Sequence, residues 1–134
     1  KEDVPGVCCQ PNFVLQVIIN LISNAVSAIF GYEGCKPSDR RLIITTGPSS
    51  IGENQGVSVV VEDSGPGVPE ELRSKIFETF FTTKDAESGT GLGLSISMSI
   101  VKEHGGILEV SRSEDLGGAK FKVWLPMGPE HKIK

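Results

Sequence analysis

From Gln10 to Tyr32 the chain carries no charged residue. Within that run QVIINLISNAVSAI places Gln16, Asn20, Ser23, Asn24 and Ser27 on one face, about a third of the circumference at roughly 100° per residue. Every other position of that stretch is apolar. The pattern predicts a helix from Phe13 to Phe30, with Asn12 after Pro11 as its N-cap and Gly31 as its stop. A surface helix would carry Lys and Glu on its wet side, so this one is expected to be packed on most of its circumference. The neutral stripe has two readings. It is a self-satisfied hydrogen-bond network or polar helix contact, or it is the floor of a pocket. In the second reading two carboxamides four residues apart face one cation or phosphate.

Further along, Leu42 to Thr46 and Val57 to Glu62 are β-branched runs that predict neighbouring strands, with GPSSIGENQG as a loose connection. Pro37-Ser38-Asp39 before them reads as a loop. DSGPG, Asp63 to Gly67, breaks the second strand, and Val68 to Phe77 reads as a short helix with Pro69-Glu70-Glu71 in its first turn. Phe80 to Gly89 looks irregular. Leu92 to His104 predicts a second long helix, stopped by Gly105-Gly106. Ile107 to Arg112 and Lys120 to Leu125 alternate as strands around EDLGG, Pro126 closes the domain, and 127–134 reads as a frayed C-terminal tail. The expected architecture is α+β: a two-layer sandwich in which a mixed, mostly antiparallel sheet packs on three helices, all within residues 1–126.

Composition narrows the class. At 134 residues, 38% hydrophobic and 22% charged, the chain has the size and balance of one globular domain. A net charge of -4 without a Lys/Arg cluster argues against a nucleic-acid surface. Cys8, Cys9 and Cys35 are an odd count without CxxC spacing, so they read as small buried or semi-buried residues of a reducing compartment. The uncharged run has the length of a membrane span, but the amides and hydroxyls at its centre favour a buried soluble helix. The start at Lys1-Glu2-Asp3, without Met, reads as an entry into a longer protein.

The candidate chemistry lies in the glycine stretches. Gly65 and Gly67 permit a sharp turn and close approach of a flat ligand, and Asp63 could accept from an exocyclic amine or simply make an Asx-turn. GTGLGL, Gly89 to Leu94, lacks the Lys-Ser/Thr of a phosphate-binding P-loop and the third glycine of the dinucleotide fingerprint. It reads as a glycine-rich helix entry whose free amides favour an anion, or as a mobile loop meeting a helix. In FETFFTTK the phenylalanines read as core, and Lys84 as a solvated lysine or a phosphate ligand.

NLISNA, DSGPG, FETFF and GTGLGL, in that order, resemble the N, G1, F and G2 boxes of the sensor histidine kinase catalytic domain. That domain belongs to the ATPase superfamily shared with gyrase, Hsp90 and MutL. EHGGILEVSR and GGAKFKVWLP resemble its closing hairpin, so the likeness spans Val7 to Pro126. The resemblance implies an α/β sandwich binding ATP with Mg2+. Asn24 would coordinate the metal, with Asn20 near the phosphates or the metal. Asp63 would hold the adenine amino group, and Gly65 and Gly67 would shape that pocket. Gly89, Thr90, Gly91, Leu92, Gly93 and Leu94 would meet the phosphates, residues 82–90 would form a short lid, and Lys84 would reach the terminal phosphates.

The resemblance also implies the reaction: the γ-phosphoryl group passes to a histidine on a dimerisation domain outside this chain, for relay to a response-regulator aspartate. The isolated domain would be monomeric and cytoplasmic, the cytoplasmic portion of a homodimeric parent with or without a membrane anchor. Neither His104, at a helix end, nor His131, in the tail, has the setting of a phosphoacceptor. Gyrase-like relatives place a glutamate where this chain has Asn20, and a carboxamide cannot take a proton near neutral pH. Hydrolysis should therefore be slow. Ser27 and Ala28 replace a basic and an aromatic residue common in the family, GGA replaces GGT at Ala119, and the family's first strand is expected to be absent or clipped at Lys1. A nucleotide-binding module without transfer chemistry, and a serine-phosphorylating anti-sigma-like kinase, are the alternatives.

Overall fold

The computed structural model describes residues 11–31, 36–78 and 93–127. Helix α1 spans Pro11–Phe30 and helix α2 spans Gly93–Glu103. Strands β1 (Leu42–Ile51), β2 (Asn54–Asp63), β3 (Ile107–Arg112) and β4 (Ala119–Pro126) form one sheet in the order β1-β2-β4-β3. All three pairings are antiparallel. The α+β class and the two layers are as expected, but no parallel pair occurs among the described strands.

The register aligns apolar side chains in rows beneath the helices. Ile44 pairs with Val61, Val61 with Phe121, and Phe121 with Val110; the next row pairs Thr46, Val59, Val123 and Leu108. Val17, Leu21, Ala25 and Ile29 of α1 descend onto this face at the i, i+4 spacing of one helical stripe. From α2, Ile100 and Val101 join them. Phe77 stacks edge-to-face on the fully buried Phe121, with centroids 6.3 Å apart, so this phenylalanine is core as expected. Phe80 and Phe81 lie outside the described residues, as do Cys8, Cys9, Cys35 and His131.

Four local expectations are corrected. Asn12 lies inside α1, Pro11–Phe30, and is not its N-cap. Nor is α1 packed on most of its circumference. Leu15, Ile19, Val26 and Phe30 are exposed, at 53%, 51%, 40% and 65%, beside the polar stripe. Val68 to Phe77 is no helix but two 3₁₀ turns, Glu70–Leu72 and Lys75–Phe77. Pro69 enters extended at ψ 146°, which leaves too few residues to nucleate an α-helix. The supposed loose connection of the first hairpin is mostly ladder. β1 and β2 stay paired to Ile51 and Asn54, and a two-residue turn opens at Gly52 with φ +60°. Gly47-Pro48 looks like a break in sequence, yet an edge strand tolerates a proline.

The remaining boundaries follow the pattern closely. Gly31 N donates to Ser27 O at 2.9 Å as α1 ends. At the end of α2, Gly106 N donates to Val101 O at 2.9 Å and Gly105 N to Lys102 O at 3.0 Å, a Schellman closure around Gly105 at φ +75°. His104 sits at that helix end with Nδ1 2.8 Å from Ile100 O. α1 has the length and apolarity of a membrane span. Its core stripe and its side-chain bonds to α2 are those of a domain helix.

Candidate functional site

The site is assembled from the C-terminal half of α1, the exit of β2 and the entry of α2. Asn20 Nδ2 donates to Gly93 O at 3.2 Å and to Ser97 Oγ at 3.1 Å, and Ser97 is fully buried. One amide therefore pins the first turn of α2 against the middle of α1. Part of the neutral stripe is thus a polar helix contact, the first of the two readings its sequence allows. Asn24, half-buried, stands one turn further along the same face. Asn24 and the N-terminal turn of α2 are consequently held in one neighbourhood.

At the end of β2, Asp63 is fully buried. Its Oδ1 accepts two backbone amides, Gly65 N at 2.9 Å and Ala119 N at 3.2 Å. Its Oδ2 is buried without a hydrogen-bond partner among the described residues. Burial pushes the carboxyl above its usual range, against the pull of the Gly65 and Ala119 amides. The Asx-turn expected as the plain reading of DSGPG is present, but it occupies only one oxygen.

The glycines around Asp63 serve close approach. A Cβ at Gly65 would stand 3.1 Å from the backbone of Ala28, so the strand exit abuts the last turns of α1. Gly67 turns at φ +81° and lies against Gly118. A Cβ at Gly118 would overlap both O and Oδ1 of Asp63. The loss of the GGT hydroxyl at Ala119 leaves its backbone amide bonded to the aspartate. Lys84, Gly89, Thr90, Gly91 and Leu92 lie outside the described residues, while Gly93 and Leu94 open α2. No group of three or more His, Cys, Asp or Glu able to hold a metal occurs among the described residues.

Sequence reasoning missed Ser97 and Ser113. Ser97 lies one turn after Gly93 in a run of alternating serines, and only its pairing with Asn20 sets it apart. Ser113 precedes a turn of polar residues and carries no motif.

Comparison with known proteins places the whole chain in a family. A family profile described as histidine kinase-, DNA gyrase B-, and HSP90-like ATPase matches residues 9–129. The sensor histidine kinase ZraS of Escherichia coli is 36% identical over 132 residues, covering 98% of this chain and 25% of that protein. The sensor protein FixL of Bradyrhizobium diazoefficiens is 37% identical over 118 residues, 88% of this chain and 21% of that protein. The chain thus spans about a quarter of the length of the curated relatives it matches. Among solved structures, the catalytic domain of histidine kinase ThkA is 37% identical with a TM-score of 0.65, covering 92% of this chain and 72% of that one. ShkA, solved full-length in complex with AMPPNP, is 28% identical with a TM-score of 0.69 over 92% of this chain and 23% of that one. This chain belongs to the family of histidine kinase-, DNA gyrase B- and HSP90-like ATPases, and its fold is that of a sensor histidine kinase catalytic domain.

Proposed function

We propose that this domain binds Mg-ATP and passes the γ-phosphoryl group to a histidine on the dimerisation domain of its parent protein, for relay to a response-regulator aspartate. The observation that carries the reading is the buried Asp63 Oδ2, left without a partner among the described residues while Oδ1 accepts two amides. A buried acceptor in that state is costly unless a ligand supplies the donor, and the adenine amino group is one.

In this reading Gly65 and Gly67 form the wall against which the flat base lies. The amides of Gly93 and Leu94, at the positive end of α2, face the phosphates. The family resemblance assigns Lys84 and Gly89 to Leu92, outside the described residues, to the same phosphates. Asn24 fits Mg2+ as a hard, neutral oxygen donor beside the phosphates, and Asn20 fixes α2 so that those amides and Asn24 act together. When bound, the ion neutralises phosphate charge. Asn20 offers no base to activate water, so transfer rests on alignment. The bond from the γ-phosphorus to the bridging oxygen breaks, a bond to the partner's imidazole nitrogen forms, and ADP leaves. The setting is the cytoplasmic side of signalling, with the parent acting as a homodimer.

Calorimetry with Mg-ATP and Mg-GTP tests the base reading. The chain should prefer ATP, and Asp63→Ala should weaken ATP binding about tenfold or more while barely moving GTP. Equal binding of both nucleotides before and after the change defeats it. Labelled ATP with a separately prepared phosphoacceptor domain tests the transfer: acid-labile, base-stable phosphate supports it. Acid-stable phosphate, or binding without transfer, would overturn it.

A further inference from the structure

The turn between β3 and β4 is organised by one side chain outside every motif. Ser113 is fully buried. Its amide donates to Gly118 O at 2.8 Å, and its carbonyl accepts from Gly117 N at 2.8 Å. Its hydroxyl accepts from Leu116 N at 3.0 Å and donates to Glu62 Oε1 at 2.8 Å. Every polar group of this serine is thereby engaged. Three of its bonds close the turn on itself, and the fourth ties the turn to β2 at the residue before Asp63.

The same turn delivers the backbone that occupies Asp63. Gly118 lies so close that any side chain would overlap Asp63, and Ala119 N reaches Oδ1 at 3.2 Å, toward the long end for an amide bond. A small retreat of the turn would break that bond. Oδ1 would then be free to compete with Oδ2 for an incoming donor, and the carboxylate would be free to rotate.

We infer that Ser113 is a positioning residue for nucleobase recognition: with Glu62 it clamps the β3–β4 turn so that two amides hold Asp63 Oδ1 and Oδ2 alone meets the base. The inference rests on the adenine reading of Asp63. Ser113 touches no nucleotide in this scheme and acts only through Gly118, Ala119 and Asp63.

The test is Mg-ATP and Mg-GTP binding by calorimetry to this chain, its Ser113→Ala variant, Glu62→Gln and Glu62→Ala. Ser113→Ala should weaken ATP binding about fivefold, the scale of one hydrogen bond, with GTP binding held within about twofold. Glu62→Gln retains an acceptor and should bind like the parent. Glu62→Ala removes the same bond from the other side, and it is held to the Ser113→Ala outcome if that variant does not fold. Unchanged ATP binding, or equal loss of both nucleotides, overturns the inference. Asp63→Ala run alongside separates the two failures. If it abolishes the ATP preference while Ser113→Ala and Glu62→Ala keep it undiminished, only this inference falls. If it leaves the preference intact, the adenine reading falls and takes the inference with it.

Discussion

Asn20 and Ser97 are 77 positions apart, yet the amide nitrogen of one lies 3.1 Å from the hydroxyl oxygen of the other. This bond, with the 3.2 Å bond to Gly93 O, fixes how α2 meets α1. Ser97→Ala removes a buried acceptor and leaves the amide with Gly93 alone. The expected loss is about 1 kcal/mol of stability, read as a lower urea midpoint at unchanged slope. Asn20→Ala with Ser97→Ala should cost less than the sum of the singles. Additive singles would show that the pair does not couple the helices.

Gly118→Ala tests the approach of the β3–β4 turn to Asp63. The new Cβ would meet the backbone oxygen and Oδ1 of Asp63, and Gly65 N at 2.7 Å. Two of these are backbone atoms that cannot swing aside. The variant should lose about 1–3 kcal/mol and most of its ATP affinity. Gly117→Ala is the contrast: nothing crowds its Cβ, so only the strain of φ +86° applies. It should be destabilised less, with ATP binding close to that of the parent.

Asp63 was legible as a candidate site residue because a valine-rich strand ends on it and two glycines follow closely. A strand, a carboxylate and a permissive turn are adjacent in sequence there. Ser113 was not legible, since its role depends on which strands pair: β4 must lie between β2 and β3 before the turn can reach Glu62. Ser97 was hidden for the same reason, its partner being on another helix. The length of β1 was missed because Gly47-Pro48 signals a break, and only the edge position removes the penalty. The exposed apolar side of α1 was missed because an uncharged helix reads as buried all round. Its core contacts come instead from the single stripe through Val17, Leu21, Ala25 and Ile29.

Trp124 is the only tryptophan and reports on the face of the sheet away from the helices. Its Nε1 donates to Ser49 O on β1 at 2.9 Å, and its ring passes over Gly56, where a Cβ would stand 2.8 Å away. The same Cβ would overlap the backbone oxygen of Leu125, so Gly56→Ala should push both β4 and the indole away, with an expected loss of about 2 kcal/mol or more and a red-shifted emission. Because this face lies opposite the site, saturating Mg-ATP should leave the parent's emission nearly unchanged. A large nucleotide-dependent shift would contradict the separation of the two faces.

Asp63 also predicts a pH dependence whose sign follows from its burial. Its folded pKa is raised, so the folded state holds the proton more tightly than the unfolded chain does. The stability this group contributes is therefore fully present below the ordinary carboxylate value of about 4 and is lost as pH rises through the raised value. Asp63→Asn cannot titrate at this position and serves as the reference. The parent-minus-variant difference in melting temperature should thus be most favourable to the parent near pH 4, fall with rising pH, and level off once Asp63 is ionised. A nucleotide amine bonded to Oδ2 favours the ionised form, so saturating Mg-ATP should flatten that fall in the parent and do little in the variant. Thermal melts at matched ionic strength from about pH 4 to pH 7 read all of these slopes. A difference that stays constant across the range without nucleotide would mean that Asp63 is not held protonated by burial. A fall that Mg-ATP leaves untouched would mean that nothing in the bound nucleotide donates to Oδ2.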